Sequence, residues 1–202
     1  MFALLTVGVA TGWAPLASLD HAVGRWAYDH TYGHQLLRQF WLTITTVGQP
    51  WALRLILLAT AAFQAWRRRW SIAGWLLATV VAELVLAPSA KYMLSRPRPY
   101  WRNPITLTGG LGYPSGHAAA ASMFVTTVTL LVFTRVSRRP SRWLCVGTVT
   151  VTCVLVPASR IFLGVHYLTD VLAGLLLGTA ISLSTWSAFV RHMPRAPFTE
   201  VR

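Results

Sequence analysis

His166 and Asp170 stand four residues apart, a spacing that puts two side chains on one face at a helix start and within reach of each other. A carboxylate that accepts a bond from one imidazole nitrogen leaves the other nitrogen free to attack an electrophile such as phosphorus. A second histidine, His117, closes the run Pro114-Ser115-Gly116-His117 and is available to protonate a departing alkoxide. Two histidines with opposite tasks need surroundings that separate their pKa values, neutral for His166 and protonated for His117.

Three fixed cations accompany them. Lys91 and Arg98 lie in Lys91-Tyr-Met-Leu-Ser-Arg-Pro-Arg98-Pro99, and Arg160 follows Ser159. Such side chains can neutralise a phosphate, the arginines with forked contacts to its oxygens. Ser115 is a candidate N-cap, with the helix formers Ala118 to Ala121 behind it. Gly116 permits close approach to an anion at a helix N-terminus. No cluster of carboxylates suited to holding a metal ion accompanies these groups, so the residues point to metal-free phosphoryl transfer with no cofactor. Arg96 and Arg102 read equally well as extra anion contacts or as headgroup anchors.

The elements that must position these residues are membrane helices. Over 202 residues the chain is 54% apolar, has a mean hydropathy of +0.51 and carries ten tryptophans. The apolar residues come in long blocks. The expected fold is all-α, a six-helix polytopic bundle forming one domain over 1–202, with spans at about 2–19, 41–66, 71–94, 115–134, 142–159 and 167–190. Residues 20–40 mix polar groups with Trp26, Tyr28, Tyr32, Leu36, Leu37 and Phe40, as in an amphipathic interfacial helix. The start, 1–20, lacks a basic n-region and a small-x-small cleavage site and reads as a first span, its far end distorted by Pro15.

The formal charge is +13, yet the cations cap apolar blocks. Arg67, Arg68 and Arg69 form one cluster, Arg135, Arg138, Arg139 and Arg142 a second, and Arg191, Arg195 and Arg202 a third. This distribution suits cytoplasmic anchoring in a plasma membrane and argues against nucleic acid as a partner. With six crossings, both termini and all three clusters share the cytoplasmic side, so the reactive segments face outward, with Tyr100 and Trp101 in the aromatic belt there.

Four further features call for structural explanations. Arg54 and Glu83 are equidistant from the turn at Arg67–Trp70, which would bring them to one depth as an ion pair between antiparallel helices. Gly174 and Gly178 form a GxxxG suited to close packing within the bundle. His30 and His34 are four apart but have no third ligand nearby, and read as surface polarity rather than a metal pair. Cys145 and Cys153, about 12 Å apart along one helix, are too far apart for a disulfide and read as buried thiols.

Lys-x6-Arg-Pro, Pro-Ser-Gly-His and Ser-Arg-x5-His-x3-Asp together resemble the signature of the type 2 phosphatidic acid phosphatase superfamily. The matched positions are Lys91, Arg98, Pro99, Pro114, Ser115, Gly116, His117, Ser159, Arg160, His166 and Asp170, within a motif region of 91–170. The resemblance implies a phosphohistidine on His166 oriented by Asp170. It implies His117 as the acid for the leaving group and then the base for water. Phosphate-binding roles fall to Lys91, Arg98, Ser115, Gly116 and Arg160. The implied activity is hydrolysis of a lipid phosphomonoester or diphosphate in the bilayer, with the phosphate of phosphatidic acid, phosphatidylglycerol phosphate or a prenyl diphosphate all compatible. The alternatives are a phosphotransferase using the same intermediate and a non-enzymatic anion or lipid transporter. Oligomeric state is not legible.

Overall fold

The computed structural model describes residues 1–135 and 139–192, and every regular element among them is an α-helix. In order these are α1 (Phe2–Ala10), α2 (Ala14–Thr31), α3 (Gln35–Val47), α4 (Pro50–Trp66), α5 (Trp70–Leu94), α6 (Gly116–Arg135), α7 (Arg139–Phe162) and α8 (Leu168–His192). Helix is what long apolar runs adopt in lipid, where each backbone N–H and C=O must find its partner within the segment. Five segments are long and apolar enough to cross: Gln35–Trp66, which joins α3 to α4, then Trp70–Leu94, Gly116–Thr134, Pro140–Phe162 and Leu168–Arg191. The chain is a multi-pass membrane protein.

The N-terminal third departs from expectation. Instead of one helix over 2–19, α1 stops at Ala10 and the chain turns through 92° into α2. Pro15 is the cause: it lacks an N–H and its ring would collide with the carbonyl four residues back. It is tolerated in the first turn of a new helix, where it sits. At nine residues, α1 is about 14 Å long, well short of a bilayer core of roughly 30 Å, so the bent pair amounts to one span at most. The stretch 20–40 is divided between the second half of α2 and the start of α3, and α3 runs on into α4 as part of a span. The buried residues of α2, Asp20, Gly24, Ala27 and Thr31, fall on one face. That face meets the ends of α7 and α8, with Ala27 packed against Ile161 and Val171; beside it Trp26 meets Phe162, and Tyr28 stacks on Trp101 of the α5–α6 connection at 4.1 Å.

α6 and α8 form the most extensive helix pair. A Cβ on Gly174 would lie 2.4 Å from Ser115 O, and one on Gly178 would lie 2.1 Å from Ala119 O. The GxxxG is therefore an internal seam, as expected. Thr127 and Ser182 share a hydrogen bond of 3.1 Å across it. Further along the bundle, Leu57, Leu76, Val80 and Met123 make a core closed by Trp75 against Trp186. Arg54 and Glu83 do pair: Arg54 Nε and Nη2 donate to the two Glu83 oxygens at 2.7 and 2.9 Å, and Glu83 is fully buried. Arg67, Arg68 and Arg69 are exposed in the α4–α5 turn. Arg138, Arg195 and Arg202 lie outside the described residues. Cys145 and Cys153 are half-buried on α7 rather than fully buried.

Candidate active site

The turn from α7 into α8 places the nucleophile candidate. Gly164 takes a left-handed φ of 68°, which only glycine adopts without strain, and the backbone N–H groups of Val165 and His166 both donate to Arg160 O. His166 thus sits in the turn just ahead of α8, and Asp170 lies in the first turn of that helix. His166 Nδ1 is 3.4 Å from Asp170 Oδ2, which also accepts from Tyr167 N at 2.9 Å. Arg98 Nη1 stands 3.0 Å from His166 Nε2. A guanidinium can only donate, so Nε2 presents its lone pair, the ring proton sits on Nδ1 toward Asp170, and the imidazole is neutral. Burial pushes the His166 pKa down to about 4; the Asp170 hydrogen bond works against this, and Arg98 and Arg160 reinforce it.

The cations arrive from three elements. Arg98, on the segment after α5, is braced by Gly109 O and Gly110 O through Nε and by Val165 O through Nη1. Lys91, in the last turn of α5, donates to Leu111 O at 3.1 Å and Pro114 O at 2.8 Å, tying down the loop before α6. Arg160, in the last turn of α7, is held by Thr45 of α3 at 2.7 Å. Ser115 N donates to Asp170 O at 2.9 Å, which draws the start of α6 onto the start of α8. His117 lies within electrostatic reach of Lys91, Arg98, Arg160 and His166. All three motif segments therefore converge.

The Ser115 hydroxyl does not cap α6 as expected. Ser115 is fully buried and its Oγ has no hydrogen-bond partner. His117 Nε2 and Arg160 Nε are in the same condition. Buried polar groups are rarely left orphaned, and a cluster of cations with one shared carboxylate is short of negative charge. A tetrahedral oxyanion would answer both deficits. Among the described residues, the other orphaned side-chain atoms, Gln64 Oε1 and Trp75 Nε1, belong to α4 and α5.

Arg96 is neither an anion contact nor a headgroup anchor. Its Nη1 donates to Asp170 Oδ1 and Thr169 Oγ1, each at 2.7 Å, and its Nη2 donates to Asp20 Oδ2 at 2.7 Å. Asp20, a buried residue of α2 that sequence reasoning passed over, also accepts from Thr169 N at 2.8 Å. Arg102 is exposed. Thr45 and Asp20 carried no sequence signal, because their partners lie far along the chain: 115 residues for Thr45 and Arg160, 76 and 149 for Asp20 with Arg96 and Thr169. His30 turns its Nδ1 to Trp26 O at 2.7 Å, and His34 is exposed. Among the described residues no group of three or more His, Cys, Asp or Glu side chains comes together in a metal-binding cluster.

Fold and site define a class: a helical membrane protein that gathers two histidines, one acid and several cations at one end of its bundle, around a place for an oxyanion. The chain belongs to the PAP2 superfamily, whose family model matches residues 70–194. It is 34% identical over 128 residues to an undecaprenyl-diphosphatase of Sulfolobus acidocaldarius, a match covering 61% of this chain and 58% of that protein. It is 29% identical over 188 residues to phosphatidylglycerophosphatase B of Bacillus subtilis, covering 88% and 85%. Among solved structures, the transmembrane PAP2 type phosphatidylglycerolphosphate phosphatase of Bacillus subtilis superposes with a TM-score of 0.80 at 23% identity, covering 96% of this chain and 95% of that one. Aquifex aeolicus LpxE gives 0.64 at 22%, covering 84% and 95%. These superpositions establish the shared fold.

Proposed function

We propose that the protein hydrolyses a phosphomonoester or diphosphate of a membrane lipid through a phosphohistidine on His166. The observation that carries this reading is the set of orphaned buried atoms, Ser115 Oγ, His117 Nε2 and Arg160 Nε, in the same cluster as the unprotonated His166 Nε2. In the first step the Nε2 lone pair forms a bond to phosphorus, the bond from phosphorus to the ester oxygen breaks, and His117 gives that oxygen a proton. In the second, His117 takes a proton from water, the water oxygen bonds to phosphorus, and the P–N electrons return to His166. Arg98, Arg160, Lys91, Ser115 and the backbone at Gly116 stabilise the charge on the phosphoryl oxygens. Asp170, already held by Arg96, Tyr167 N and His166, is a poor ligand for a metal, and the surrounding cations would repel one.

A lipid substrate is supported by the site's place at the end of membrane-crossing helices and by the names of the relatives. The clustering of the site's cations and both histidines at one bundle end favours an enzyme over a transporter, which would spread charge along its spans. The exposed Arg67–Arg69 turn supports a cytoplasmic position for its own side and, with it, a site on the outer face of the plasma membrane. Labelling of Leu107→Cys in intact cells by a membrane-impermeant maleimide, with Cys145 and Cys153 replaced by alanine, checks this; protection until the cells are lysed would reverse the orientation.

The deciding experiment assays purified protein on phosphatidic acid, phosphatidylglycerol phosphate and undecaprenyl diphosphate, scoring released phosphate. One of them is expected to be turned over in the presence of EDTA, and His166→Ala to abolish turnover. Full activity in His166→Ala protein would overturn the reading. Phosphate appearing on an added alcohol instead of in solution would identify a phosphotransferase.

A further inference from the structure

Asp170 is held from behind as well as from the His166 side. Its Oδ2 faces His166 Nδ1 and Tyr167 N, and its Oδ1 receives Arg96 Nη1 at 2.7 Å. Arg96 is in turn fixed by Asp20 at 2.7 Å and lies over the Tyr167 ring at 4.5 Å. Asp20 closes the circuit by accepting from the backbone N–H and the hydroxyl of Thr169, so α2 supplies a tertiary cap to the start of α8. Asp20, Thr169 and Asp170 are all essentially inaccessible to solvent. The guanidinium bridges two carboxylates with separate nitrogens, a task a lysine ammonium performs poorly.

We propose that Arg96, anchored by Asp20, is a positioning residue for the nucleophile: it fixes the Asp170 carboxylate on His166 Nδ1 and shares its charge. Both effects matter. Orientation keeps the proton on Nδ1 and Nε2 unprotonated. Charge sharing stops Asp170 from stabilising the imidazolium so strongly that His166 becomes protonated and loses its lone pair. The other charged or titratable groups that face His166 are Arg98 from the segment after α5, His117 from α6 and Arg160 from α7; Lys91 from α5 faces Arg98, Arg160 and Asp170, and Tyr113 and Tyr167 flank Asp170. None of these cations reaches Asp170 with a hydrogen bond; Arg96 is the one cation among the described residues that does.

The inference rests on the phosphohistidine reading, and the test separates the two. Arg96→Gln, Arg96→Lys and Asp20→Asn are assayed beside His166→Ala on phosphatidylglycerol phosphate and undecaprenyl diphosphate, with the thermal unfolding of each variant followed in detergent. Arg96→Gln is expected to lower kcat on the order of a hundredfold, as for a misplaced catalytic group, with little change in KM. It should also move the acid limb of kcat/KM upward by about one pH unit, since a cation beside Asp170 is gone. Arg96→Lys restores the position of the limb but not the full kcat, because it keeps the charge without the bridge. Asp20→Asn lowers kcat without raising the limb, because Arg96 keeps its charge.

Wild-type kcat and pH profile in folded Arg96→Gln protein sink the proposal, as does a rise in KM alone, which would make Arg96 a substrate contact. If Arg96→Gln does not fold, Arg96→Lys and Asp20→Asn decide, and wild-type kcat in both overturns it. Activity in His166→Ala would instead remove the reading beneath it.

Discussion

At His166, the proposed nucleophile, the decisive quantity is the availability of one lone pair. Burial holds the ring pKa at about 4, below the ordinary imidazole value of about 6.5, so Nε2 is unprotonated across the neutral range. As pH falls through the lowered value the ring gains its proton and the nucleophile is lost. The profile of kcat/KM, which reports the free enzyme, should therefore keep its acid limb close to 4; a limb near the ordinary value would mean a solvated ring. His117 makes a second prediction. Its replacement by Asn should cost on the order of a hundredfold to ten-thousandfold on an alkyl ester, and far less on p-nitrophenyl phosphate, whose leaving group needs no proton. Equal losses on both would assign His117 to binding instead. The proposed catalytic positions were legible because each sits in a short local spacing. Asp20, Thr45 and the true partners of Arg96 were not, since a carboxylate 149 residues from the threonine it binds leaves no local pattern.

The contact between α6 and α8 does two jobs, holding the bundle together and setting Ser115, at the start of α6, against Asp170. A methyl added at Gly178 would press on Ala119 O and Ser122 Oγ, and one at Gly174 on Ser115 O and Ala118 Cβ. Overpacking of this kind costs typically about 1–3 kcal/mol, so both alanine variants should lower the unfolding temperature. Gly174→Ala should lose more kcat than Gly178→Ala for a similar loss of stability, because its contact is the residue that carries the orphaned hydroxyl. Equal kcat losses in thermally matched variants would deny the seam its role in alignment. The seam was readable because GxxxG signals close approach wherever two membrane helices meet. The break between α1 and α2 was harder to read, since the apolar run continues through it and its marks are single residues: Gly12, which takes a left-handed φ of 64°, and Pro15.

Across the whole molecule, the reactive end depends on a bundle that carries an ion pair inside its spans. Arg54 grips both oxygens of Glu83, which is fully buried, about 12 Å along α5 from Lys91. Their equal distances from the Arg67–Trp70 turn made the pair visible in the sequence, because antiparallel helices carry such positions to one depth. A buried pair adds little over well-packed apolar residues, yet breaking it strands a charge at a cost of about 3–5 kcal/mol. Glu83→Gln should therefore depress thermal stability in detergent and protein yield in the membrane. The specific activity of what remains folded should hold, because the groups around the phosphate site are untouched. Replacing both partners, as in Arg54→Met with Glu83→Leu, should recover most of the lost stability, since no unpaired charge is left behind. A fall in kcat at unchanged unfolding temperature in Glu83→Gln would place the pair in the reaction; a double variant no more stable than the single one would mean that the helices are registered by this contact and not merely joined by it.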